Sequence, residues 1–216
     1  METASEVGGD FYDILPQEDG STIIGIGDVT DHGLQSGIVM LMTQSALRTS
    51  IDKSDISLKK ALQQVNNLIY SNVQTRLNDN RNLTLALLKY KENKIQISGQ
   101  HEYLILLRKE NSKAEKINTL DLGFYVGMLK NIDKYIEEQT FDFNEGDIIL
   151  LYTDGATEAE NRQKEFYGID RLIAALEKNR NTSSQEIVEN IKKDIFNFIN
   201  GREILDDISL VVIKRT

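Results

Sequence analysis

The chain is 216 residues long, 40% hydrophobic and 27% charged, with a formal net charge of -9. That acidity argues against nonspecific binding to nucleic acid or to an anionic membrane. The lack of cysteine removes disulfides, thiolate metal sites and cysteine nucleophiles, and no apolar run is long enough to span a bilayer. The length suits one domain over residues 1–216 with a sizeable core. Met1 lies close ahead of Asp10, as in a domain cut from a longer protein.

Residues 1–20 are polar and hold the sole proline, Pro16. Phe11, Ile14 and Leu15 read as a short strand that pairs with residues 22–27 through Glu18-Asp19-Gly20. The run 23–33, Ile-Ile-Gly-Ile-Gly-Asp-Val-Thr-Asp-His-Gly, climbs through β-branched residues to Asp28 and breaks into a polar turn. Residues 34–49 follow at helical spacing, with Leu34, Ile38, Leu41 and Ser45 on one face and Met40-Leu41-Met42 expected in the core. A second helix over 57–77 carries Leu58, Ala61, Leu62, Val65, Leu68, Ile69, Val73 and Leu77 at the spacing of one apolar face.

From Leu83 the period shortens to that of strands. Residues 83–90, 94–98 and 103–108 are joined by Lys91-Glu92-Asn93 and Gly99-Gln100-His101-Glu102, which predicts an antiparallel meander. Residues 109–145 give weaker signals, a loop over 123–127 and a strand near 136–141. The strongest strand, 148–153, follows the Glu145-Gly146 turn and runs into Asp154-Gly155. Helices are expected over 168–178 and 181–199, the second opened by a capping box at Ser183 and Glu186. A strand over 205–214 closes the chain. Paired helices between blocks of antiparallel strands give the α+β class, with sheets covered by helices.

Asp10, Asp28, Asp154 and Asp206 are far apart in sequence, yet each stands at a strand end. Any one alone is an ordinary turn former. Four together, two of them flanked by glycine, have the pattern of a cluster for hard cations, because carboxylates within about 4 Å repel unless neutralised. Oxygen ligands with neither cysteine nor a histidine cluster favour Mg²⁺ or Mn²⁺ over Zn²⁺. Two such ions can share a hydroxide and drive it in line at phosphorus. His32 could be a general acid for a leaving serine oxygen or simply a turn residue. His101, in a hairpin loop, reads as structural.

Four stretches carry a resemblance: Val-Gly-Gly-Asp-Phe-Tyr-Asp (7–13), Gly-Asp-Val-Thr-Asp-His-Gly (27–33), Leu-Tyr-Thr-Asp-Gly-Ala-Thr-Glu-Ala (151–159) and Asp-Asp-Ile-Ser-Leu-Val-Val (206–212). In this order they resemble the motifs of the SpoIIE/RsbU branch of the metal-dependent (PPM) serine/threonine protein phosphatases. The resemblance implies an α-β-β-α sandwich of two antiparallel sheets flanked by helices, with two metal ions at one edge. It implies that Asp28 bridges both metals, that the Val29 carbonyl adds a ligand, and that Asp154 and Asp206 hold the other ion. Asp10 would act through metal-bound water. The chain departs from the family at Asp31-His32-Gly33, where Gly-Lys-Gly or Gly-His-Gly is usual, so an extra acid stands close to the metals. It departs again at Gly99-Gln100-His101-Glu102, where Ala-Gly-His-Asn is frequent.

The resemblance implies a bacterial, cytoplasmic hydrolase acting on phosphoserine or phosphothreonine, with a STAS-type anti-anti-sigma protein as substrate. The chain would be the C-terminal output module of a sensor, with the sensor domain in cis or in trans, and a homodimer is compatible with it. The competing reading is a catalytically weak phosphatase-like module that docks a partner; a small-molecule phosphatase is a third. No arginine cluster is visible near the first two motifs to grip a phosphopeptide. Recognition is therefore expected on the Gly-flanked loop within 120–134, through Phe124 and Tyr125 with Val126, Met128 and Leu129. The alternative is that Phe124 and Val126 tuck under the sheet.

Overall fold

The computed structural model describes residues 1–4, 7–51, 56–111 and 113–216. Their contacts separate into two units. The first holds residues 7–101 and Thr119–Asp142. Here β1 (Phe11–Pro16) and β2 (Thr22–Val29) form the expected hairpin, with Phe11 opposite Gly27 and Pro16 opposite Thr22. β3 (Leu83–Lys91) and β4 (Lys94–Ser98) turn on Glu92 and Asn93, both at positive φ, which matches the right-handed twist of the flanking strands. A strand from much later in the chain, β7 (Glu138–Asp142), completes the order β1-β2-β3-β4-β7.

Two helices cover this sheet. In α2 (Leu58–Tyr70) Leu58, Ala61, Leu62, Val65 and Ile69 of the predicted stripe are fully buried, and Ser57 caps the helix by accepting the Lys60 N–H. Leu68, at the edge of the inward arc, and Leu77, at the end of the segment that follows, are instead 40% and 60% exposed. The helix runs on as a π-helical segment, Ser71–Leu77, closed by Asn78 in the left-handed region. The first helix, α1 (Leu34–Ile51), corrects the sequence reading. Leu34, Ile38 and Leu41 are exposed at 68%, 45% and 55%, while Ser36, Gly37, Val39, Thr43, Ala46 and Leu47 face inward. Small side chains let this helix lie close: Ser36 donates to the Thr30 carbonyl and Thr43 to the Val39 carbonyl. Met40 and Met42 pack partly against the core, and Leu41 does not. Arg48 near the end of α1 grips the buried Asp13 of β1 through Nε at 2.7 Å and Nη2 at 2.8 Å, a bidentate fork.

The second unit holds Glu102–Asn118, Phe143–Thr216 and the first residues of the chain. Its sheet has the order β6-β5-β8-β9, from β5 (Leu104–Leu107), β6 (Glu115–Ile117), β8 (Ile148–Tyr152) and β9 (Leu210–Lys214). The expected three-strand meander is thus broken after β4. β5 pairs with β6 and β8, because Leu104-Ile105-Leu106-Leu107 is buried on both faces and takes a central position. β9 starts later than the predicted 205, leaving Asp206 and Asp207 in the loop ahead of it. A single turn, α3 (Asp154–Thr157), is followed by α4 (Ile169–Asn179) and α5 (Ser184–Ile199). Leu172, Leu176, Ile187, Ile191 and Ile195 form the buried faces of α4 and α5, and both bonds of the Ser183–Glu186 capping box are present. No helix among the described residues is long and apolar enough to cross a membrane.

Asp147, ahead of β8, is buried at 2%. Burial pushes its carboxyl up, but the N–H groups of Lys109 and Asn144 (both 2.9 Å) and the Arg108 guanidinium (3.0 Å) outweigh this and hold it below the usual range. A lowered carboxyl stabilises the fold above its unfolded value near 4 and loses that contribution as pH falls through the folded value. Asp147→Asn should therefore cost about 1–3 kcal/mol at pH 7. In denaturant titrations the difference from wild type should shrink below pH 4; a constant difference would mean the charge is irrelevant.

Candidate functional site

In the first unit the β1–β2 register sets Phe11 opposite Gly27, so Asp10, one residue earlier, stands at the same end of the hairpin as Asp28. Asp10 is buried and Asp28 half-buried. The loop before Asp10 lies against the turn after β2. A Cβ on Gly9 would come within 3.0 Å of the Val29 carbonyl oxygen and 3.3 Å of the Asp31 carbonyl oxygen, so glycine permits the approach. Across the ladder, Asp28 faces Thr84. The Thr84 hydroxyl lies 3.4 Å from the Asp28 carbonyl oxygen and 2.8 Å from His101 Nδ1. The His101 N–H donates to the Thr119 hydroxyl at 3.0 Å, and that hydroxyl donates back to the His101 carbonyl. His101 is therefore buried and braces the strand that faces Asp28, whereas His32 is exposed on the turn.

In the second unit Asp154 opens α3 directly after β8, and Asp206 sits in the loop leading to β9. Three bonds hold these two loops together. Thr153 N–H donates to the Ser209 carbonyl at 3.2 Å, Ser209 N–H to the Thr153 hydroxyl at 3.0 Å, and that hydroxyl to the Asp207 carbonyl at 3.4 Å. A Cβ on Gly155 would sit 2.1 Å from the Asp207 carbonyl oxygen, so the approach is open to glycine alone. The carboxylate of Asp207 accepts the Ala4 N–H at 2.8 Å.

This closeness has an electrostatic consequence. Burial, then the charges of Asp206 and Glu158, push the Asp154 carboxyl up to about 6, against the pull of the Gly155 N–H. Glu102 is raised as well, by burial and by the charges of Asp154 and Glu158, against the pull of a bond with the Tyr152 hydroxyl. Neither Glu102 nor Glu158 was singled out from the sequence; the departure at Gly99-Gln100-His101-Glu102 was the available signal. A cleft of about 190 Å³ beside this corner is walled by Glu158, Phe166, Leu205 and Asp206.

The four predicted acids thus come as two pairs, Asp10 with Asp28 and Asp154 with Asp206. Among the described residues no three acids or histidines converge closely enough to hold a metal ion as they stand. The donor set nevertheless fits a hard divalent cation: every candidate ligand is oxygen, and the Asp154 carboxyl, raised by burial and then by the charges of Asp206 and Glu158, is a group whose ionised form such a cation would favour.

On the loop expected to dock substrate, Phe124 is half-buried, stacks on Tyr135 at 4.8 Å and packs on the core of the first unit. Val126 is buried and exchanges backbone bonds with Leu83. Tyr125 is half-exposed, and Met128 and Leu129 are exposed.

Residues 18–216 match the family described as Stage II sporulation protein E (SpoIIE). Among curated proteins the chain is similar to Protein IcfG of Synechocystis, at 28% identity over 240 residues that cover 100% of this chain and 37% of that protein. The chain therefore spans little more than a third of that relative. Among solved structures it resembles the SiaA-PP2C domain of Pseudomonas aeruginosa, with a TM-score of 0.83 at 16% identity, covering 100% of this chain and 84% of that one. It also resembles the RsbU and RsbW domains of Rv1364c from Mycobacterium tuberculosis, with a TM-score of 0.74 at 22% identity, covering 98% and 56%. At these identities the structural likeness establishes the fold, two antiparallel sheets with helices of the PP2C type.

Proposed function

The chain belongs to the SpoIIE family, the SpoIIE/RsbU-type branch of the PPM phosphatases, and we propose that it hydrolyses phosphoserine or phosphothreonine in a protein. The observation that carries this reading is the Asp154 corner: a half-buried carboxyl held against Asp206 and Glu158. Carboxyls perturbed by burial together with specific neighbouring charges cluster at functional sites.

In this reading Asp28 with the Val29 carbonyl, and Asp154 with Asp206, hold two Mn²⁺ or Mg²⁺ ions, and Asp10 orients water beside them. When bound, the ions supply the positive charge that activates water near neutral pH and offsets charge on the phosphoryl oxygens. The close approaches at Gly9 and Gly155 fix the two loops that carry the acids, which keeps them from rearranging as charge moves. His101, through Thr84, steadies the strand of Asp28.

The substrate proposed is a STAS-type anti-anti-sigma regulator, and the chain is proposed to work in the cytoplasm as the output module of a sensor. The presence of RsbU and RsbW domains in one M. tuberculosis chain supports a regulatory setting of this kind. Tyr125, Met128 and Leu129 are the accessible part of the loop proposed to meet the phosphoprotein.

The test is phosphate release from a phosphorylated STAS-type protein. Turnover is expected with Mn²⁺ or Mg²⁺, to cease in EDTA and to return when metal is restored. Full turnover in excess EDTA would overturn the two-metal reading. Tight binding of the phosphoprotein without release under any metal would instead favour the docking module.

A further inference from the structure

Arg81 is far from Asp31 in sequence but level with it in the sheet. Val29 pairs with Leu83, and Thr30 N–H donates to the Asn82 carbonyl at 2.9 Å, so the next step along the ladder sets Arg81 beside Asp31. The Arg81 side chain is only 16% exposed. Its Nη1 donates to Asp79. Its other edge is unfilled: Nη2 lies 3.7 Å from a carboxylate oxygen of Asp31, beyond hydrogen-bond reach, and Nε is buried with no partner among the described residues. Arg48 shows what that edge is for, since its Nε and Nη2 together clasp the Asp13 carboxylate. A buried guanidinium donor left without an acceptor is costly and calls for an explanation.

Asp31 is unlike an ordinary ion-pair partner. Its side chain is 71% exposed, its backbone is left-handed at φ 65°, and it follows Asp28 by three residues in the turn that rests on Gly9. An exposed carboxylate at this distance is a weak holder of the edge. The fork of Nε and Nη2 suits a tetrahedral or planar oxyanion that accepts from both.

We propose that the Nε–Nη2 edge of Arg81 is the substrate-phosphoryl anchor of this corner, and that Asp31 occupies the approach to it until a phosphoryl group displaces it. This deepens the phosphatase reading and rests on it. The sequence shows no arginine cluster near the first two motifs; the single Arg81 is brought beside Asp31 by strand pairing. Arg81 is a binding group here, with Asp31 acting on it as a competitor of like charge to the substrate.

Two variants test this without threatening the fold. Asparagine tolerates the left-handed backbone of Asp31, and lysine keeps the charge of Arg81 while losing the fork. Inorganic phosphate is titrated into the metal-free chain while the Arg81 Nε–H resonance is followed by ¹⁵N NMR, and steady-state kinetics are run on the phosphoprotein with metal. In wild type the Nε–H signal should move with phosphate. Asp31→Asn should tighten phosphate binding and lower KM about three- to fivefold, the scale of one exposed ion pair, with kcat within about twofold. Arg81→Lys should raise KM about tenfold with a smaller change in kcat. A stationary Nε–H signal, together with unchanged KM in both variants that still turn over, would overturn the anchor and leave the phosphatase reading intact. A moving signal in a chain that releases no phosphate from any phosphoprotein would overturn the phosphatase reading and leave the anion site standing.

Discussion

Asp28→Asn and Asp154→Asn should each lower turnover of the phosphoprotein at saturating Mn²⁺ by at least about 10²-fold, the loss that follows removal of one charge from a preorganised site. Each change keeps the side-chain shape and deletes the charge. At Asp154 the same substitution should stabilise the metal-free protein. Its carboxyl is raised to about 6 by burial, Asp206 and Glu158, so its ionised form is penalised in the fold above that pH and unpenalised below the unfolded value near 4. Allowing for solvent screening of a half-buried group, the gain should be about 1 kcal/mol at pH 8, fading as pH falls from 6 towards 4. Kinetics and thermal melts in EDTA at pH 5 and pH 8 measure both. Wild-type turnover by Asp154→Asn would remove Asp154 from the reaction.

Gly155→Ala should damage fold and activity together. The added methyl would lie 2.1 Å from the Asp207 carbonyl oxygen and 2.9 Å from its carbon, and both are backbone atoms that cannot rotate aside. Relief requires parting the loops joined by Thr153, Asp207 and Ser209, at a cost of about 2 kcal/mol or more. For a chain of this size that corresponds to a drop in Tm of about 4–8 °C. Activity should fall further than stability, because Asp154 and Asp206 ride on the parted loops. An alanine variant with unchanged Tm would show that these loops are not locked by their approach.

What could be read in advance depended on how local the cause was. The hairpin at Glu18-Asp19-Gly20, the α2 stripe apart from Leu68 and Leu77, and the Ser183–Glu186 box are written within a few residues, and each was found. The face of α1 was misread because its large residues point outward; close packing selected small side chains for the inner face, and periodicity weights the large ones. The placement of β5 depended on partners at Glu115–Ile117 and Ile148–Tyr152, and nothing near Leu104 specifies them. The acids were legible as strand-end carboxylates. Glu102 and Arg81 were not, since their neighbours at Asp154 and Asp31 come from pairing between distant segments.

The strand order also bears on how the chain is made. On the ribosome β5 emerges well before β8, and β7, which finishes the sheet begun by β1, emerges between them. Until residues 148–152 leave the exit tunnel, the four fully buried leucine and isoleucine side chains of β5 have only the three-residue β6 as a strand partner. The nascent protein thus carries an apolar edge through a defined interval of translation, when it is most open to chaperone capture or self-association. A released fragment truncated between Asp142 and Ile148 should hold a complete first sheet and an incomplete second one, so its solubility should be lowest in that window.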